Sequence, residues 1–130
     1  MKILVAYHGA NVGNEMLKLA VKHAKSFAGE VLLMTSLEGD DKTNLEEINE
    51  AESDLHNASE ALDKEGVSNE THLIVKGHTP GEDVVSFAEE HGCSEIIIGV
   101  KSRSKVGKFL FGSTAQYVIL NAHCPVVSVK

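Results

Sequence analysis

Tryptophan is absent from this 130-residue chain, and cysteine and proline occur only twice each. With aromatics at 5% and hydrophobic residues at 42%, the core has to be built from aliphatic side chains rather than large rings. Two cysteines cannot form the multi-bridge framework of a small secreted domain, so a reducing compartment is expected. Long apolar runs are lacking too, since none approaches the roughly 20 residues that cross a bilayer. Met1 opens directly into a strand pattern, without the charged-then-apolar leader of a secreted chain, and a cytoplasmic location is expected. Positive charge is the scarcer sign, with 12 Lys and Arg against 19 Asp and Glu and a formal net charge of -7. That balance speaks against general nucleic-acid binding. With no internal repeat or low-complexity linker, residues 1–130 read as a single domain.

What is present alternates regularly. Ile3-Leu4-Val5-Ala6-Tyr7 is apolar without alternation, as in a strand covered on both faces. Asn14 is a candidate N-cap for a helix over about residues 15–28, with Gly29 as its stop. Residues 30–37 read as a second buried strand. From about Asn44, Ile48, Ala51, Leu55, Ala58 and Leu62 form one helical stripe that ends before Gly66, and its many acids form a solvated face. Residues 71–76 are a third strand whose partial alternation places it nearer an edge. Thr79-Pro80-Gly81-Glu82 has the spacing of a capping box with proline at the first helical position. Glu95 to Ile98 is a fourth strand, residues 114–121 a short helix, and residues 124–130 a final strand. The order β-α-β-α-β-α-β-α-β with right-handed crossovers gives an α/β protein with a doubly wound parallel sheet. Such sheets bind ligands at the carboxyl ends of their strands, where the winding reverses.

One stretch concentrates chemistry. Residues 99–114 follow the fourth strand and carry Gly99, Gly107 and Gly112 together with Lys101, Arg103, Lys105 and Lys108, a basic loop in an acidic chain. Glycine permits positive backbone dihedrals and close approach of a ligand, and the free amides of the following helix start favour a phosphate. No nucleophile elbow and no Lys-Ser/Thr P-loop occurs, so efficient hydrolysis has no support here.

These residues resemble the universal stress protein A family, whose nucleotide-binding members carry Gly, two residues, Gly, nine residues, Gly, then Ser or Thr. Gly99, Ser102, Gly112 and Ser113 fall at those places, and the segments GKFLFGSTAQYVI and CPVVSVK are similar to the family's closing helix and strand. The resemblance spans the whole chain and implies an open five-stranded parallel sheet of order 3-2-1-4-5 with helices on both faces. It implies a stress-response protein that binds ATP or a related adenine nucleotide over strands one and four, in a regulatory and non-catalytic role. On that resemblance Ile98, Gly99, Ser102 and Arg103 shape the phosphate pocket. Gly112, Ser113 and Thr114 offer amides and hydroxyls to phosphate oxygens, the backbone of Ser36 lies beside the adenine, and Ala6, Tyr7 and His8 lie beneath the nucleoside. Two positions depart from the family. Ser102 replaces the second glycine, and His8 stands where an aspartate is usual, which takes away a hard oxygen ligand for magnesium.

Cys93 and Cys124 precede neighbouring strands at the amino-terminal edge and read as structural thiols, and the seven histidines show no metal-finger spacing, so no metal site is expected. The final strand, with Val126, Val127, Ser128 and Val129, is β-branched and nearly uncharged, which suits pairing with a second copy. Homodimerisation through that strand is expected. The alternative to nucleotide binding is a dimeric interaction module that does not hold nucleotide tightly.

Overall fold

The computed structural model describes residues 1–7, 13–37, 45–75, 78–100 and 112–130. Among the described residues nine elements follow in strict alternation: β1 (Lys2–Ala6), α1 (Gly13–Phe27), β2 (Glu30–Leu37), α2 (Leu45–Lys64), β3 (Asn69–Val75), α3 (Pro80–Glu90), β4 (Glu95–Gly99), α4 (Ser113–Asn121) and β5 (Val126–Val129). All strand pairs are parallel and the sheet order is β3-β2-β1-β4-β5, as the resemblance implied. The partly alternating third strand is indeed an edge.

The unalternating apolar runs are explained by two separate cores. Ile3, Val5, Leu33 and Ile97 pack beneath α1 and α2, while Leu4, Met34, Ile96 and Ile98 pack beneath α3 and α4. Successive residues of a strand serve opposite faces, so β1 and β4 need apolar residues at every position. On α2 the expected stripe is buried at Ala51, Leu55, Ala58 and Leu62 and half-buried at Ile48. None of the helices among the described residues is long and apolar enough to cross a membrane.

The helix ends refine the sequence expectations. Asn14 is not the cap of α1, because the helix already begins at Gly13 and Asn14 lies in its first turn. Gly13 fits there because the Tyr7 ring lies over it, and a Cβ on Gly13 would stand 3.2 Å from the ring. Nor does Gly29 supply the left-handed stop of α1. Ala28 does so with φ 51°, and the Gly29 amide closes on the Ala24 carbonyl at 2.8 Å. Gly29 answers a packing need instead, since a Cβ there would come within 3.0 Å of the Met1 carbonyl oxygen. Gly66 (φ 74°) and Gly92 (φ 63°) take the left-handed position after α2 and α3. Thr79 caps α3 as expected, its Oγ1 accepting the Glu82 amide at 3.4 Å. Glu82 completes the box differently, accepting the Thr79 hydroxyl at 3.0 Å rather than a backbone amide.

Candidate functional site

The winding reverses between β1 and β4, because the chain leaves β1 toward β2 and β3 and then crosses back to β4. A sheet opens a crevice at the carboxyl end of such a pair. Ala6 is in register with Ile98 on one side and Met34 on the other, which brings Ala6, Ile98 and Gly99 to one edge. Pairing runs on past β1, since the Tyr7 amide donates to the Met34 carbonyl at 2.8 Å and the Tyr7 carbonyl accepts the Thr35 hydroxyl at 2.8 Å. Tyr7 turns its ring to the α1 layer. Burial first, and the Asp54 carboxylate of α2 second, raise its hydroxyl above the ordinary pKa.

Ser36, at the end of β2, is half-buried and donates its hydroxyl hydrogen to Asp83 Oδ2 at 2.6 Å. Asp83 is 6% exposed, and its other oxygen accepts the His78 amide at 3.0 Å. One carboxylate thus ties the end of β2 to the turn between β3 and α3. Its place in the first turn of α3, at the positive end of the helix dipole, suits a negative charge. Sequence reading missed Asp83 because it follows Glu82 in an acidic helix start, where both acids look like solvated first-turn residues. Only the packing of α3 on the sheet buries one of them.

α4 begins over the carboxyl end of β4, where Ala115 shares a core with Ile98 and Val100. Its N-cap is Gly112, which is exposed, extended (φ -67°, ψ 156°) and without a side-chain cap. The positive dihedral that glycine would allow at this position is not used. Among the described residues a Cβ at Gly112 would meet nothing within 4 Å. The position leaves open space, among those residues, beside first-turn amides that have no intrahelical partner. Ser113 is exposed and Thr114 half-buried at the same turn. The remaining candidates, His8, Ser102 and Arg103, and the loop cations Lys101, Lys105 and Lys108, lie outside the described residues.

Other polar clusters stand away from this edge. A groove of about 330 Å³ between α2 and β3 is lined by Glu52, Leu55, His56, Ser59, Thr71 and Leu73 and contains none of the candidate residues. His23 Nδ1 lies 2.6 Å from Glu95 Oε1, at the amino end of β4. Among the described residues no three His, Cys, Asp or Glu side chains stand close enough to hold a metal ion. Cys93 is buried and Cys124 half-buried, and neither forms a disulfide. Burial pushes the Cys93 thiol up to about 11, with a smaller contribution from Cys124.

Comparison with known proteins agrees with this architecture. Residues 1–130 match the sequence model of the Universal stress protein family. Universal stress protein MJ0531 of Methanocaldococcus jannaschii is 32% identical over 142 residues, covering 99% of this chain and 81% of that protein. The structure of a universal stress protein from Archaeoglobus fulgidus superposes with a TM-score of 0.91 at 39% identity, covering 100% of this chain and 98% of that one. A second Archaeoglobus fulgidus structure, in complex with dAMP, gives a TM-score of 0.85 at 36% identity over the same shares of the two chains. With the family pattern matched end to end and the strand order reproduced, the chain belongs to the universal stress protein family.

Proposed function

We propose that this protein binds an adenine nucleotide, ATP or a related mono- or diphosphate, at the carboxyl ends of β1 and β4 in a regulatory, non-catalytic role. The observation that carries the reading is the start of α4. Gly112 is unstrained there, and among the described residues a Cβ on it would meet nothing within 4 Å, which leaves room, among those residues, for a phosphate beside the first-turn amides of Ser113 and Thr114. Support also comes from the relative whose structure holds dAMP. In this reading Ala6 and Tyr7 contribute backbone beneath the nucleoside, Ser36 lies beside the base, and Ile98, Gly99, Ser102 and Arg103 border the phosphates. His8 brings no oxygen ligand for magnesium. A cytoplasmic setting suits the two free thiols.

Calorimetric titration of ATP, ADP and AMP into the wild type and Gly112→Val tests the site. A valine at φ -67° fits the backbone, so the fold should lose less than about 1 kcal/mol, in line with a weakened N-cap. Binding should disappear. Equal heats from both proteins would remove the site from α4.

Assembly is the second part of the proposal: a homodimer through β5. Among the described residues β5 pairs only with β4. The carbonyls of Pro125 and Val129 face β4, accepting from Ile96 at 3.0 Å and Val100 at 2.9 Å. By alternation Val126 and Ser128 turn their amides and carbonyls to the open side. Leu120, 81% exposed on the helix leading into this strand, adds apolar surface that a partner can cover. If nucleotide proves to bind weakly, the dimer is the form in which the alternative interaction module would act.

A further inference from the structure

The Ser36–Asp83 pair carries an inference that rests on the nucleotide-binding reading and sharpens it. A serine hydroxyl has one hydrogen to give and two lone pairs to offer, whereas a carboxylate only accepts. Ser36 has committed its hydrogen to Asp83 Oδ2 at 2.6 Å, and Asp83 is anchored through Oδ1 by the His78 amide at 3.0 Å. With Asp83 6% exposed, water does not compete freely for that carboxylate. Whatever meets the half-buried Ser36 hydroxyl from the carboxyl edge therefore finds an acceptor only.

We propose that Asp83, acting through Ser36, is a specificity-determining positioning residue that selects a 6-amino purine over a 6-oxo purine. The exocyclic amine of an adenine is a donor and satisfies the oriented hydroxyl. The 6-oxygen of a hypoxanthine or guanine is an acceptor, and two acceptors facing each other leave both unpaired in a partly dry site.

The anchoring amide makes the inference testable by one near-isosteric change. In Asp83→Asn the His78 amide still requires an acceptor at its position, so the carboxamide oxygen turns there and the new NH2 faces Ser36. That NH2 donates to the Ser36 oxygen, and the serine hydrogen is released toward the edge, reversing what the site presents. Calorimetric dissociation constants for AMP and IMP are measured on the wild type, Asp83→Asn and Ser36→Ala. The wild type should prefer AMP by about tenfold or more, and Asp83→Asn should erase or invert that ratio, as expected for an exchanged hydrogen-bond role. Ser36→Ala should also erase it, which keeps the test open if Asp83→Asn folds poorly. General damage to the fold would weaken both nucleotides alike and leave their ratio unchanged, so an unchanged ratio in a folded variant overturns the proposal. A wild type that binds none of ATP, ADP, AMP and IMP defeats the nucleotide-binding reading itself and this proposal with it. A wild type that binds AMP and IMP equally, or prefers IMP, defeats this proposal alone.

Discussion

Ala28 holds a backbone conformation that α2 and α3 assign to glycine, with φ 51° against 74° at Gly66 and 63° at Gly92. A left-handed alanine costs roughly 1 kcal/mol, and Ala28 is exposed. Ala28→Gly should raise the denaturant midpoint by the equivalent of up to about 1 kcal/mol, less the extra freedom glycine gives the unfolded chain. A lower midpoint would mean the strain is already relieved by local geometry. The same comparison shows what single residues conceal in a sequence. Gly29 and Gly112 look like conformational glycines, yet one makes room for the Met1 carbonyl and the other, among the described residues, borders open space. Asp83 looks solvated and is buried.

Among the elements, the Thr79 cap and the Pro80 start of α3 were legible, because Thr-Pro-Gly-Glu encodes a local cap that needs no distant partner. What Gly81 does beyond that was not legible. A Cβ there would stand 2.9 Å from Tyr117 Cβ, an atom fixed to the backbone of the neighbouring α4. Alanine gains about 1 kcal/mol over glycine in helix propensity, while overpacking a fixed contact costs about 1–3 kcal/mol. Gly81→Ala should therefore destabilise the protein on balance and part α3 from α4, seen as a lower thermal midpoint; a higher one would show that propensity wins. For β5, Ser128→Pro removes one outward-facing amide and leaves the bonds to β4 intact. Light scattering behind a sizing column should find a dimer for the wild type and a monomer for the variant. A wild-type mass of one chain at micromolar concentration would rule the dimer out.

For the molecule as a unit, three sheltered weak acids tie stability to alkaline pH. Tyr7, Cys93 and Cys124 are all raised, in each case first by burial, and Cys93 moves from 9.0 to about 11. Between those values the folded state keeps a proton that the unfolded state gives up, so stability falls as pH rises. The Cys93 contribution is fully present below about pH 9 and is lost by about pH 11. Urea midpoints should hold from pH 7 to about pH 9 and drop toward about pH 11, and Cys93→Ala should show a shallower drop from its own lower starting point. Equal slopes in the two proteins would remove Cys93 as a cause.

Element order, the α/β class and the family could all be read along the chain, because strand and helix periodicity, local caps and the run from Gly99 to Thr114 are properties of sequence neighbours. The same reading put Ala6, Ser36, Ile98, Gly99, Gly112, Ser113 and Thr114 at strand or helix ends, which parallel topology gathers at one edge. It took the folded molecule to determine which acid of α3 is buried, which way the Ser36 hydroxyl points and which glycines are there for space. Those outcomes depend on contacts between residues 47 apart, as for Ser36 and Asp83, or between two helices. Burial and hydrogen-bond direction arise when distant segments meet, and no local pattern carries them.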